Sequence, residues 1–248
     1  METLLPVFGL ATLGSLAGLL GGLIILSQKA LGKTISTHAI PFAAGVLLGV
    51  SFLDVLPEAI DHTGVELGLQ VVLIVIISAF FFEQFLLHLH HHEKSGGSSL
   101  KASLPLVVAG DTIHNFMDGV AIAASYLVNP AFGLVVAVAT FLHEIPHEMG
   151  DFSLMIKAGW SRLKVMAVNI FSALATYLGV AFVFLFQNFS EKNLGVLLAI
   201  AGGLFLYIGA SDLLPELEEE KRNNHWYQAL LLISGVIIVW IFNQVLPR

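Results

Sequence analysis

Runs of about twenty apolar residues recur along the whole chain of 248 and limit its fold more than any other feature. We read eight of them, at 4–26, 37–57, 65–90, 102–127, 131–157, 163–187, 194–214 and 226–246. A helix needs about 20 such residues to cross the hydrocarbon of a bilayer. Only helices and closed barrels satisfy their own backbone hydrogen bonds there. Charged residues make up 12% of the chain, against about 25% in a soluble domain. The expected fold is therefore all-α and integral to the membrane: one transmembrane domain over residues 1–248, surrounded by lipid. The breaks between runs carry turn or charge signals, as in V-N-P at 128–130 and S-E-K-N at 190–193. Residues 91–101 form a short His/Gly/Ser loop. The N-terminal M-E-T-L-L-P lacks a basic region and reads as the start of the first span, not as a cleaved signal.

Lys and Arg concentrate in cytosolic loops. With the N-terminus outside, nine of the eleven Lys and Arg fall inside, leaving Lys192 and Arg248 outside. Both termini are then extracytoplasmic, and loop 91–101 is cytosolic. The expected location is the cell (plasma or cytoplasmic) membrane, crossed many times. With no cysteine, disulfides and thiolate metal sites are excluded. The net charge of −7 speaks against a nucleic-acid partner. No organic cofactor is expected.

An internal match adds an architecture. Ala43–Glu58 aligns without gaps to Ala201–Glu216, with seven of sixteen positions identical and a shared closing D-x-L-P-E. The copies end the second and seventh spans, which run in opposite directions in this topology. Such inverted repeats are a device of transporters, with the site near the midplane. The expectation is that spans 1–3 and 6–8 repeat around a central antiparallel pair, 4 and 5.

That pair carries the chemistry. His114, Asn115 and Asp118 lie in the fourth span, and His143, Glu144 and His147 in the fifth, with one shared spacing of i, i+1 and i+4. At about 100° per residue, each trio forms a polar stripe about 100° wide on an otherwise apolar helix. Asp111 and Asp151 extend the stripes by one turn towards the cytosol. Ionisable groups at bilayer depth cost about 2.5–3.5 kcal/mol each on insertion scales, so they face a partner or a bound ion. Three His, two carboxylates and an Asn suit a borderline divalent cation: Zn2+ first, with Fe2+, Mn2+, Co2+ or Cd2+ also compatible. Two adjacent sites are readable, one from His114, Asp118, His143 and His147, the other from Asn115 and Glu144 sharing Asp118 and His147. Pro146 cannot donate its backbone N–H, so a kink is expected beside His143 and Glu144.

The fifth-span residues also read as H-E-x-x-H, in which His143 and His147 would bind zinc and Glu144 would activate water for intramembrane proteolysis. Pro146 sits inside that motif, and this reading leaves His114 and Asn115 without a role. Outside the centre, Asp54 and Glu58 mark the outer end of the second span, and Asp212 and Glu216 the inner end of the seventh. These read as entry and exit stations for cations. His88 and His90 stand at the cytosolic end of the third span and read as receivers of released metal. Glu148 lies off the main stripe, where it can support the ligands.

H-N-F-M-D-G (His114–Gly119) and H-E-I-P-H-E-M-G-D (His143–Asp151) closely resemble the fourth- and fifth-helix signatures of the ZIP (Zrt-, Irt-like protein) metal transporters. The resemblance covers essentially the whole chain. It implies uptake of Zn2+ or a related metal into the cytosol, a binuclear midplane centre and elevator-like alternating access, often in a homodimer. It assigns His114, Asp118, His143 and His147 to the main ion, and Asn115 and Glu144 to an auxiliary one. Thr176 stands where some bacterial members carry a further Glu ligand. On this resemblance the chain is not an enzyme.

Overall fold

The computed structural model describes residues 4–27, 29–91, 99–186, 191–215 and 225–245, with side chains for all of these except 25, 29–37, 86–91, 99–103 and 225. All regular structure among the described residues is helical. In chain order the helices are α1 (Leu4–Gly14), α2 (Leu20–Ser27), α3 (Lys29–Val50), α4 (Leu56–Thr63), α5 (Val65–His91), α6 (Ser99–Val128), α7 (Pro130–Lys157), α8 (Arg162–Ala173), α9 (Ala175–Leu185), α10 (Glu191–Tyr207) and α11 (His225–Val245). Two π-helical segments, π1 (Ser51–Val55) and π2 (Ile208–Leu213), continue α3 and α10.

Five helices among the described residues are long and apolar enough to cross a membrane: 38–63, 65–85, 162–185, 191–213 and 226–245. The chain is an all-α membrane protein. α6 and α7, at 30 and 28 residues, have ample length and carry the ionisable stripes. The first expected span departs from a single helix. It divides into α1 and α2 at a turn over residues 15–19, whose bonds include Ala17 N–H to Thr12 O at 3.1 Å and Gly18 N–H to Ser15 O at 2.8 Å. The sixth span divides likewise, into α8 and α9 at Leu174. α7 remains helical through Pro146.

Both π segments have a local cause. Pro57 and Pro215 lack an N–H, and in an α-helix the ring of each would press on the carbonyl four residues earlier, at Leu53 and Ser211. Those carbonyls lie within π1 and π2, where the wider helix relieves the clash.

The helices pack as two groups. One holds α1, α2, α6, α7, α8 and α9; the other holds α3, α4, α5, α10 and α11 with the π segments. They meet along α3–α7, α6–α10, α2–α3 and α5–α6, and share a core that includes Leu47, Val136, Ala137 and Phe205. α5 and α11 lie outermost and expose large apolar side chains such as Leu73, Phe81, Leu230 and Val245. A surface of that kind is suited to lipid and not to water.

Candidate metal centre

α6 and α7 are joined by a single residue, Asn129, whose side chain accepts from Ala131 N–H at 2.7 Å and caps α7. So short a connection makes them antiparallel neighbours and sets their stripes face to face. His114 Nε2 lies 3.0 Å from Glu144 Oε1, 3.1 Å from His143 Nε2 and 3.6 Å from Asp118 Oδ2. His143 Nε2 lies 3.5 Å from Asp118 Oδ2 and 3.6 Å from Glu144 Oε1. Zinc–ligand bonds of about 2.0–2.2 Å put tetrahedral ligands about 3.3–3.6 Å apart. Five of the six separations in this quartet are known and match that cage within a few tenths of an ångström. Asp118, His143 and Glu144 are at most 1% exposed.

The tautomer is set as well. His143 Nδ1–H donates to the Ala139 carbonyl at 3.1 Å, since a carbonyl only accepts, and its Nε2 lone pair is left facing the quartet. Three acceptors, His143 Nε2, Glu144 Oε1 and Asp118 Oδ2, therefore converge on His114 Nε2. A divalent ion in place of the His114 proton would bring a charge that two carboxylates can neutralise.

His147 stands apart from this quartet. Its ring stacks on His114, with centroids 5.0 Å apart and planes 25° apart. Its ligand atom groups with Asp111 and Asp151, all within 4.8 Å of one another. The two His of H-E-x-x-H thus fall into different groups, which lends the zinc-protease reading no support. The resemblance assigns His147 to the main ion and Glu144 to the auxiliary one; here the Glu144 carboxylate lies nearest His114, and His147 lies nearest Asp111 and Asp151.

Asn115 is bonded on both sides of its amide. Its Oδ1 accepts from Thr176 Oγ1 and lies within hydrogen-bond distance of Ser15 Oγ, each at 3.2 Å. Its amide donates to Asp111 Oδ1 at 2.9 Å and to the Asp111 carbonyl at 3.1 Å. Ser15 reaches it from the turn that splits the first span and shares its one proton between Asn115 and, at 2.9 Å, Ala173 O. Sequence reasoning passed over Ser15; its only signal was a hydroxyl in the apolar run L-G-S-L-A-G. Thr176, read as a missing ligand, is a hydrogen-bond donor to Asn115.

The remaining residues are dispersed. Glu148 is 1% exposed and belongs to neither group. Asp54 is buried in π1, and Asp212 is half-buried in π2. Glu58 pairs with His62 Nε2 at 3.3 Å and lines a small pocket with Val128, Asn129 and Phe132. His88 and His90 belong to α5, but their side chains lie outside the described residues, as do Glu216 and most of loop 91–101.

The ZIP zinc transporter profile matches residues 90–243, which include both stripes. The chain belongs to the ZIP family. Among curated relatives, zinc transporter ZIP13 of Pongo abelii is 34% identical over 213 residues, 82% of this chain and 65% of that protein. Human zinc transporter ZIP4 is 36% identical over 135 residues, 54% of this chain and 21% of that protein. The Drosophila melanogaster zinc transporter foi is 36% identical over 143 residues, 57% and 20%. The chain thus spans less than two thirds of the length of these ZIP relatives. The curated members it matches are zinc transporters, and none of these comparisons supports the protease reading.

Proposed function

We propose that this ZIP protein carries Zn2+, or a related divalent transition metal, across the membrane into the cytosol, and that His114, Asp118, His143 and Glu144 hold the ion near the midplane. The carrying observation is the cage itself, with buried ligand atoms spaced at 3.0–3.6 Å. Two His with two carboxylates fit zinc, and Fe2+, Mn2+, Co2+ and Cd2+ after it.

Eight spans in an inverted repeat accommodate the helices. The alignment that pairs Ala43 with Ala201 also pairs π1 with the end of π2, and Ser15 with Ala173, where the first and sixth spans break. It pairs Gly45 with Gly203 too. Gly45 packs on α11, beside Leu232, and Gly203 on α5, beside Val72 and Val75, as a repeat of three helices requires. The Lys and Arg distribution sets the orientation, with both termini outside the cell membrane.

Elevator-like movement has support in the glycines. A Cβ added at Gly119 would lie 1.9 Å from Thr176 O, at Gly45 2.0 Å from Leu232 O, and at Gly21 2.3 Å from Ile145 O. All such approaches among the described residues stay within one helix group, and none joins the two. Close backbone contact stiffens each group, and a boundary without such glycine contacts is better able to slide. The quartet lies wholly on α6 and α7, so the ion would travel with its group.

Radioactive zinc uptake into sealed vesicles tests the function. His143→Ala and Asp118→Ala each remove one ligand and should lower saturable uptake at least about tenfold. Equal uptake by wild type and both variants would sink the proposal.

A further inference from the structure

The corner between α7 and α8 carries charge that neither the fold nor the metal centre uses. K-A-G-W-S-R-L-K (Lys157–Lys164) holds three cations and no acid, in a chain whose net charge is −7. Lys157 ends α7, and Arg162 and Lys164 open α8. Gly159, at φ +88°, turns the chain sharply: its N–H bonds Ile156 O at 3.0 Å, and Trp160 N–H bonds Met155 O at 3.1 Å. All three cations are exposed, and none pairs with a carboxylate among the described residues. Arg162 and Lys164 do not serve their helix either. The first turn of α8 has no acid, and the helix dipole there disfavours cations. The neighbours of these charges are apolar. Lys164 Nζ stands 3.7 Å over the half-buried Trp160 ring, a shelf that holds the ammonium at the corner. Leu163, between the two α8 cations, is 80% exposed, and Phe171 on the same helix is 71% exposed. The membrane-long stretch 162–185 begins here. Outward-facing apolar side chains beside exposed cations and a Trp mark the level where hydrocarbon gives way to headgroups.

We propose that Lys157, Arg162 and Lys164 bind the phosphate of an anionic phospholipid headgroup, and that Leu163 beside them contacts its acyl chains. The lipid thereby anchors the helix group that carries the quartet. The partner follows from charge and depth together. A soluble anion or an acidic protein would meet the cations but has no use for Leu163 and Phe171. A zwitterionic lipid suits the apolar surface but brings an ammonium of its own, which the cations repel. A headgroup with net negative charge, carried on acyl chains, satisfies both. Arg162 can grip two phosphate oxygens at once, and each cation near an anionic surface contributes up to roughly fivefold in binding. The Lys and Arg topology makes this the cytosolic leaflet, but the binding chemistry is the same on either side.

Fluorescence quenching at the corner tests the proposal. The chain has no native cysteine, so Leu163→Cys places a single bimane fluorophore there. The purified full-length protein is reconstituted in phosphatidylcholine nanodiscs that contain equal fractions of either doxyl-labelled phosphatidylglycerol or doxyl-labelled phosphatidylcholine. Both leaflets carry the label, so the result does not depend on the orientation of the chain. The anionic lipid should quench at least about threefold more effectively than the zwitterionic one. Lys157→Gln with Arg162→Gln and Lys164→Gln should abolish that difference. Removing three cations elsewhere, by Lys29→Gln with Lys33→Gln and Lys221→Gln, should leave it intact. Equal quenching by the two lipids would overturn the proposal, as would a preference that survives loss of the three corner cations. Loss of the preference in the second triple variant would also overturn it, since general charge would then be the cause. Inorganic phosphate should compete no better than sodium chloride of the same ionic strength. Stronger competition by phosphate would assign the corner to a soluble anion and refute the lipid.

Discussion

Gly119→Ala is the most exacting perturbation of this structure, because it adds one methyl group where two backbones touch. The new Cβ would stand 1.9 Å from the Thr176 carbonyl oxygen and 3.0 Å from its Cα. Real Cβ atoms essentially never approach closer than 3.0 Å, so α6 and α9 must part by roughly an ångström. The obstacle is backbone, and no side-chain rotation relieves it. Overpacking of this kind costs about 1–3 kcal/mol. The functional consequence is larger. Thr176 Oγ1 donates to Asn115 across this same contact at 3.2 Å, and Asn115 holds Asp111. An ångström of separation breaks the first bond and loosens the second, and misplacement on that scale near a site can cost about 100-fold in rate. The assay pairs thermal unfolding with initial zinc uptake at matched protein levels. Both should fall in Gly119→Ala, and uptake should fall further than the loss of folded protein explains. Gly150→Ala is the control: it lies on α7 between His147 and Asp151, and a Cβ there meets nothing within 4 Å. It should match wild type in both measurements. Wild-type behaviour of Gly119→Ala would refute the claim that the α6–α9 spacing sets the centre.

Chelation of bound metal should lower the unfolding temperature. A ligand at about 100 times its Kd stabilises by about 2.7 kcal/mol, and the shift should vanish in Asp118→Ala with His143→Ala. Tyr207→Phe removes the hydroxyl that donates to Glu83 across α5 and α10, leaving a half-buried carboxylate without that bond. It should cost about 1–3 kcal/mol of stability without changing metal stoichiometry, and a lost metal ion would refute the separation of that pair from the centre. Ser98→Cys, in a chain without native cysteines, should resist membrane-impermeant maleimide on intact cells and react after permeabilisation. Labelling of intact cells would reverse the orientation.

The polar stripes were legible because helical periodicity makes them so: residues at i, i+1 and i+4 share a face whatever surrounds them. The shared D-x-L-P-E endings were legible too, and their prolines explain the paired π segments. The breaks at 15–19 and Leu174 were not. L-G-S-L-A-G and S-A-L-A-T read as ordinary small-residue packing in a membrane helix. Their exit from helical geometry follows from packing against α6 and α7, where Ser15 and Thr176 find Asn115. The ligand sets were half legible. A helical wheel puts His147 and Glu144 on one face, but it cannot tell that Glu144 bonds the His114 Nε2 while His147 stacks on its ring.

The amino-acid order alone determined that this chain is a bundle of membrane helices, and that its ionisable residues gather on two adjacent ones. Both follow from local rules, the length of apolar runs and the pitch of a helix. Only the tertiary structure decided that His143 and His147 lie in different side-chain clusters and that the Asn115 amide bonds Asp111. Ligation depends on positions good to about half an ångström. Rotamers and the glycine contacts between helices set those positions, and neither is written in the spacing of residues along one strand of sequence.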